Sequence, residues 1–451
     1  MSCINCYFQY RSRHIHSLVF AAVLIAVLSF VLFPADAVRA EYTYEEVSIS
    51  FSNPDVYIQV LPRMELVAGV LTQTSWMEEW GPSEGNSYFH KVRDEFSSYD
   101  EHRAVEIAEE LLEKRFIHDA LPHLAFRLSP LPNLLPRWGY GQNLIHRAGG
   151  TDLLEEFRRE LIDLADKMDF HKFFAKHGDL YEDIVHELAA ELDSKKIIPW
   201  LHDFFGWSGD EYYLIAAPSM FPGGGYGGHV RTPEGKMLVT QVIRAEDDRR
   251  INPRFPTGES LQRLSLHEWG HSFVDPTLAQ HPLLVRQLEF LYKPVEHVMK
   301  DQAYTNVATF VNEQVLRAIE TLAMKDLYGS QAYYTHKSRT ERRGFYLTEP
   351  LIELFQNKYL PRRDSYADFS DFAPTLLGEM SEMDPPSAFS LTRIPWRHVP
   401  YLLLGFSALC AILWWAIWGL RYRKQQIENM TEGKLPDDIP EEEQFDGKNL
   451  K

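Results

Sequence analysis

The chain has 451 residues, of which 45 % are hydrophobic and 24 % charged. This is the composition of a globular protein, long enough for one large domain or two, rather than of a disordered or fibrous chain. The formal net charge of −18 argues against nucleic acid as the main partner.

Residues 1–40 have the organisation of a secretory signal segment. Arg11 and Arg13 precede an apolar run from Leu18 to Phe33, and small residues follow up to Ala40. A basic start, an apolar middle and a small-residue end predict a signal peptide. An uncleaved signal anchor is the alternative, because the apolar run is near the lower limit for crossing a bilayer.

Residues 398–422 are predicted to form a transmembrane helix. The apolar run from Val399 to Leu420 is long enough to span a bilayer, and basic residues follow it at once. Since basic flanks mark the cytoplasmic side, residues 41–397 are predicted to lie outside the cytoplasm, in a periplasmic or extracellular location. Residues 423–451 then form an acidic cytoplasmic tail.

The cysteines fit this topology. The three of them are Cys3, Cys6 and Cys410, so residues 41–397 contain none. The stability of this body therefore does not depend on disulfides, and any zinc ligands in it must be histidines and carboxylates.

The pattern of apolar residues predicts a mostly helical α+β body with a small β-sheet, made of an N-terminal part (41–210) and a second part (211–397). Strands are predicted at four places: Val56–Gln59, Glu65–Leu71, Tyr212–Ala217 and Met237–Ile243. The glycine-rich stretch Pro222–Gly228 is predicted to be a hairpin loop that flanks the substrate cleft. Helices are predicted over 101–116, 151–168, 180–192, 197–205, 258–273, 284–299, 305–327, 347–359 and 369–380.

The most informative motif is His267-Glu268-Trp269-Gly270-His271, an H-E-x-x-H pattern. On a helix, residues four apart share a face, so His267 and His271 can bind one metal ion. Glu268 would then lie beside the open coordination position, where it can accept a proton from water. The alternative is a buried helix with two core histidines, but unpaired polar groups on one inner face are costly.

A third protein ligand is expected on a later helix. Glu313, which follows Asn312, is the first choice, and Glu320 on the same helix is the second. Asp275 and His297 are further alternatives. Glu320 can instead pair with Arg317 or orient a ligand histidine.

An H-E-x-x-H motif followed by an Asn-Glu pair resembles the gluzincin metallopeptidases. That resemblance implies a zincin-like fold with Glu313 as third ligand. Two features depart from it: the separation of His271 from Glu313 is long, and Arg317 stands where gluzincins have an aspartate that orients a histidine.

The body between the two apolar runs is also similar to the DUF4932 family, for which a metallopeptidase activity is the implied function. The similarity lies in five short pieces of sequence, 62–67, 88–89 with 100–105, 267–273, 312–313 with 317–318, and 343–346. Of these, only the zinc motif is highly specific.

These features together predict a membrane-anchored, extracytoplasmic zinc metallopeptidase that acts on a peptide or protein. His267, His271 and Glu313 would hold Zn²⁺, and Glu268 would be the general base. Four residues after Gly329 are considered as oxyanion donors, Tyr333, Tyr334, His336 and Tyr346. Two alternatives stay open: a membrane-tethered binding or assembly module with a structural or vestigial zinc site, and a zinc hydrolase of another amide bond.

Overall fold

The computed structural model describes residues 45–386 apart from 53, 83, 220–223 and 248–250. The predicted signal segment, transmembrane helix and acidic tail lie outside these residues. Within the described ranges, no helix combines the length and the apolar character needed to cross a membrane.

A five-stranded sheet forms the centre of the fold. Its strands are β1 (Val47–Phe51), β2 (Val56–Val60), β3 (Glu211–Ala217), β4 (Gly225–Arg231) and β5 (Met237–Arg244). Their order is β1-β2-β3-β5-β4, with β2, β3 and β5 parallel and the outer strands β1 and β4 antiparallel to their neighbours. The interior strand β5 is buried at every residue but its last, as expected of a strand covered on both faces.

Helices cover the sheet and make up most of the chain. Those before β3 are α1 (Pro62–Leu71), α2 (Ser75–Trp80), α3 (Ser87–Phe96), α4 (Arg103–Glu113), α5 (Ala120–Arg127), α6 (Gln142–Ala148), α7 (Asp152–Lys167), α8 (Phe170–Lys176), α9 (Gly178–Glu191) and α10 (Ser194–Phe205). Those after β5 are α11 (Gly258–Leu278), α12 (Pro282–Gln287), α13 (Glu289–Tyr292), α14 (Glu296–Lys300), α15 (Val307–Arg342), α16 (Thr348–Leu354) and α17 (Phe369–Ser381). Short 3₁₀ turns occupy Ser97–Tyr99, Lys293–Val295 and Leu360–Ser365, and a π-turn occupies Phe355–Tyr359. The helices and strands named above all belong to one compact unit that ends at Asp384. The predicted α+β class, mostly helical with a small sheet, is thus confirmed.

The predicted strand Glu65–Leu71 is wrong, because this segment lies in helix α1. Pro62 occupies the first turn of α1, where its fixed φ favours a helix and its missing N–H costs nothing. All ten residues of α1 are buried. A helix that is buried all round has no polar face, so its sequence lacks the periodicity that separates a helix from a strand.

The glycine-rich stretch is only partly a loop. Residues 220–223 are not described, but Gly225, Gly227 and Gly228 are part of strand β4. A Cβ on Gly227 would lie 1.8 Å from the carbonyl oxygen of Glu268. The glycines therefore let the strand run directly against helix α11. In the sequence, glycines that serve close packing cannot be distinguished from the glycines of a turn.

Two predicted helices have different bounds from those expected. The predicted helix 284–299 is divided among α12, α13, a 3₁₀ turn and α14. Helix α15 extends well past residue 327, but Gly329 interrupts it with φ 86° and ψ −176°. This conformation is open to glycine and reverses the direction of the chain.

Candidate metal centre

Helix α11 holds the H-E-x-x-H motif rigidly against the sheet. Trp269 is fully buried, and its indole nitrogen donates to the carbonyl oxygen of Tyr213 in β3 at 3.2 Å. On the other side of the helix, a Cβ on Gly270 would lie 2.4 Å from Leu316. Glycine at this position therefore lets α15 approach α11 closely, which brings the carboxylates of α15 to the histidines.

The structure brings His267, His271 and Glu313 together. The Nε2 atom of His267 lies 3.6 Å from Oε2 of Glu313, and Nε2 of His271 lies 3.4 Å from Oε1 of the same carboxylate. All three side chains are largely buried. The Oε2 atom of Glu313 is buried and has no hydrogen-bond partner within the described part of the chain.

These spacings fit a metal ion. In a tetrahedral zinc site with bonds near 2.0–2.1 Å, neighbouring ligand atoms lie about 3.3 Å apart. The two observed separations, 3.4 Å and 3.6 Å, are close to that value. Nitrogen and carboxylate oxygen are also ligands that zinc accepts. The Oε2 atom of Glu313 lies 3.5 Å from Nη2 of Arg317, an ion pair without an aligned hydrogen bond, so this oxygen keeps a lone pair for a metal.

Glu268 completes the cluster, because a carboxylate oxygen of Glu268 and one nitrogen each of His267 and His271 all lie within 4.8 Å of one another. Glu268 by itself could therefore also reach a metal. Glu313 is a second carboxylate in reach of such a metal, since its two oxygens approach the Nε2 atoms of both histidines.

The Glu268 carboxylate lies between helix α11 and strand β4. A Cβ on Gly225 would lie 2.8 Å from its Oε1 atom, so the strand backbone covers the carboxylate. Burial raises the pKa of Glu268 to about 7, partly offset by the nearby His271. A carboxylate with such a pKa can both accept and return a proton near neutral pH.

Carboxylates also contact Nδ1 of each histidine, the ring nitrogen that does not face Glu313. The Nδ1 atom of His271 lies 3.1 Å from Oδ1 of Asp275, which in turn accepts a hydrogen bond from Asn312 at 3.0 Å. The Nδ1 atom of His267 lies 3.2 Å from Oε2 of Glu320. This second contact is within ion-pair distance but is not an aligned hydrogen bond. In both cases the carboxylate favours a proton on Nδ1 and leaves Nε2 free to bind a metal.

Glu320 is the centre of a buried ion cluster behind His267. Its Oε2 atom also accepts from Arg317 at 3.0 Å, and its Oε1 atom lies 3.2 Å from Arg263 and 3.3 Å from Nε2 of His336. His336 is sixteen residues after Glu320, which along a straight helix would separate them by about 24 Å. The reversal at Gly329 therefore brings the end of α15 back to the metal centre.

The electrostatics follow from these contacts. Burial, reinforced by Arg317, lowers the pKa of His267 to about 4, so this imidazole is neutral at physiological pH. Burial opposes the charge on His271, but Asp275 and Glu313 outweigh it and raise its pKa. Burial alone would raise the pKa of Glu313, yet the two histidines and Arg317 hold it far below its ordinary value.

The residues considered as oxyanion donors have other contacts. The hydroxyl of Tyr333 donates to Glu349 at 2.8 Å, and that of Tyr346 donates to the carbonyl oxygen of Leu291 at 2.8 Å. Tyr334 is 64 % exposed, and His336 lies at Glu320. His297, an alternative ligand, is exposed on α14.

Two residues of this region were not found from the sequence. Arg263 precedes His267 by four residues, so helical spacing could have placed it on the same face. Tyr304 precedes α15, and burial, followed by the nearby Glu313, raises its pKa well above the ordinary value. No local pattern marks Tyr304, because the fold alone brings it near Glu313 and Arg317.

The sequence model of one protein family, described as "Domain of unknown function (DUF4932)", matches residues 142–378. This range is more than half of the chain and contains the whole metal centre. The chain belongs to this family. The predicted family is confirmed, although the similar pieces at 62–67, 88–89 and 100–105 precede the matched range. No curated protein and no solved structure matches the chain.

Proposed function

We propose that this DUF4932 protein is a zinc metallopeptidase whose body lies outside the cytoplasm and is anchored to the membrane by residues 398–422. One observation carries the proposal: His267, His271 and Glu313 meet at metal-ligand spacing, with the buried Glu268 carboxylate beside them. A purely structural metal site would have no need of Glu268.

His267, His271 and Glu313 would hold the zinc ion. When bound, zinc supplies Lewis-acid polarisation of a carbonyl group and makes water more acidic. Glu268 accepts the proton of the attacking water and passes it to the leaving amine, a role that suits its pKa of about 7. Asp275 and Glu320 keep the two imidazoles in the tautomer that presents Nε2 to the metal.

The free edge of strand β4 supports a peptide as substrate. Backbone bonds between Arg244 and Gly224, and between Thr232 and Lys236, fix the register of the β4–β5 pair. Because antiparallel pairing alternates, Gly225, Gly227, His229 and Arg231 direct their N–H and C=O groups to the outer side of β4. An extended peptide can pair with this edge next to Glu268.

The deciding experiment uses the detergent-solubilised full chain. Metal analysis should find one zinc per chain, and His267→Ala should lose it. Glu268→Gln should keep zinc and fold but lose hydrolysis of a mixed peptide pool by about 10²- to 10⁴-fold, since an amide cannot accept the proton. Glu353→Gln, an exposed glutamate on α16, is the matched control and should retain full activity.

Activity retained in Glu268→Gln would remove this residue from the mechanism. Absence of metal from the wild-type chain, even after incubation with zinc, would overturn the proposal as a whole.

The proposed topology needs its own test. Protease added to cells with an opened outer envelope should degrade the body and spare the tail after Arg421. Loss of the tail with an intact body would reverse the orientation.

A further inference from the structure

A cavity of about 390 Å³ lies between the end of strand β4 and the last turns of helix α11. Arg231 and Gln280, which line it, are exposed and form its rim, whereas the buried Met237 and Thr277 form its floor. The cavity is therefore open to solvent on one side. Its volume is within the range of about 300–1,000 Å³ that is typical of ligand pockets.

The cavity is close to the metal centre along both of these elements. On α11, Thr277 follows His271 by six residues, which is about 9 Å along the helix axis. On β4, His229 lines the cavity and follows Gly227, which lies against Glu268, by two residues or about 7 Å. A peptide that extends from the metal centre along β4 therefore reaches the cavity within about two residues.

Strand pairing would direct a peptide side chain into this cavity. The side chain of His229 lies on the α11 face of β4, since it lines the cavity together with Thr277 and Gln280. Residues that face each other on neighbouring strands direct their side chains to the same face of the sheet. In a peptide paired with the outer edge of β4, the residue opposite Gly227 lies beside Glu268. The residue opposite His229 then points its side chain into the cavity.

The lining offers apolar surface for a ring. Trp207 and Met237 both line the cavity. The ring of Trp207 packs on that of Phe273, with centroids 4.5 Å apart, and Phe273 stacks on Phe205 at 4.7 Å. This stack holds the Trp207 indole in place. Aromatic rings pack well against another ring and against the thioether of a methionine.

The charges of the described lining residues balance. Arg231 is basic and Asp368 is acidic, so the net charge favours neither an acidic nor a basic side chain. The carboxylate of Asp368 already accepts hydrogen bonds from the backbone N–H and the hydroxyl of Ser370. Burial also lowers the pKa of His229 to about 4, so this imidazole is neutral at physiological pH. A neutral side chain therefore enters the cavity at the lowest desolvation cost.

We propose that this cavity is the specificity pocket of the peptide groove along β4, and that it takes an aromatic side chain of the substrate. The aromatic residue lies one to three residues from the scissile bond. Its ring is buried against Trp207 and Met237, whereas a small side chain leaves that surface in contact with water. This inference rests on the proposed peptidase function, because the groove is defined by the metal centre.

The test measures cleavage and binding separately. Wild-type protein is incubated with a mixed peptide pool, and mass spectrometry locates the bond that it cleaves. Zinc-loaded full-length Glu268→Gln protein is then titrated with matched peptides that carry Phe, Ala, Lys or Glu at each position in turn. Phe one to three residues from the scissile bond should bind roughly tenfold more tightly than Ala, and more tightly than Lys or Glu.

A substitution that fills the cavity tests the assignment. Gln280→Trp, in the Glu268→Gln background, adds a ring at the rim and should remove most of the preference for Phe. Because Gln280 is exposed, the fold should tolerate this change, and zinc retention shows whether the metal centre is intact. Gln287→Trp, at an exposed glutamine of α12, makes the same change elsewhere and should leave the preference as it was.

Equal binding of the Phe and Ala peptides, or Lys or Glu bound as tightly as Phe, overturns the pocket and leaves the peptidase proposal standing. A preference for Phe that survives Gln280→Trp in zinc-retaining protein does the same. A preference that Gln280→Trp removes, without any cleavage by the wild-type protein, keeps the pocket but overturns the peptidase proposal. Neither cleavage nor binding overturns both.

Discussion

Two buried glutamates, Glu320 and Glu65, have opposite surroundings. Both are about 1 % exposed. Glu320 lies among Arg263, Arg317 and two histidines, which outweigh its burial and lower its pKa well below the ordinary value. Among the described residues, Glu65 of α1 has only neutral hydrogen-bond partners, which include the hydroxyls of Tyr88 at 2.8 Å and Ser219 at 2.7 Å, so burial raises its pKa to about 7.

The comparison shows that burial alone does not decide whether a carboxylate is charged. A buried carboxylate stays ionised where cations surround it. Where its partners are only hydroxyl groups, its pKa rises and it binds a proton near neutral pH. The ion cluster around Glu320 is thus built on fixed charges, whereas the carboxylate of Glu65, which links α1 to Ser219, is neutral in acid and charged in base.

The largest expected effect separates the two carboxylates of α15. Glu313→Ala removes a group that faces both Nε2 atoms, so the protein should lose zinc readily to a chelator. Glu320→Ala removes a group that orients His267 and should weaken zinc binding by only about 10- to 100-fold. Competition with a chromogenic chelator measures both, and the reverse order would move the ligand assignment to Glu320.

The second effect concerns stability without metal. Glu320→Ala leaves the buried Arg317 and the half-buried Arg263 without their shared carboxylate, which should cost about 3–5 kcal/mol of unfolding free energy. The double variant Glu320→Ala/Arg317→Met should recover part of that loss. Denaturant unfolding of the chelator-treated protein measures both, and a double variant less stable than the single one would show that charge is not the cause.

The sequence predicted the grouping of His267, Glu268 and His271 better than the fold around it. Helical spacing placed His267, Glu268 and His271 together, because i,i+4 geometry is local. The choice between Glu313 and Glu320 stayed open, since both lie on α15 and only its packing against α11 shows which nitrogen each one contacts.

The rest of the fold depended on contacts distant in sequence. Helix α1 was predicted as a strand because it is buried on every side, and β4 was predicted as a loop because its glycines serve close packing. Arg317 stands where the gluzincins that the motif resembles have an aspartate, and here Asp275 and Glu320 contact the Nδ1 atoms of the two histidines instead. These two side chains come from two helices, α11 and α15, so no single sequence motif contains both.

The third effect is the pH dependence of Glu65. Its folded pKa is raised from 4.5 to about 7, so its contribution to stability is fully present below pH 4.5 and is lost as the pH rises through 7. The loss should be about 3 kcal/mol. Glu65→Gln cannot ionise, so the difference in unfolding free energy between the variant and wild type should rise by this amount from pH 4.5 to 8. A difference that stays constant over this range would show that Glu65 does not titrate there.

The smallest effect tests the partner of Glu65. Ser219 donates to the Glu65 carboxylate at 2.7 Å, and Ser219→Ala removes that bond. Hydrogen bonds to a charged acceptor are stronger than those to a neutral one, so the loss should be about 1 kcal/mol at pH 5 and about 2 kcal/mol at pH 8. Ser272 is the matched control: it is equally buried and donates at 2.7 Å to the neutral carbonyl oxygen of Gly228. Ser272→Ala, measured in metal-free protein, should therefore cost about 1 kcal/mol at both pH values. If both serine variants show the same pH dependence, the Glu65 carboxylate is not the group whose charge changes, and the contrast with Glu320 loses its basis.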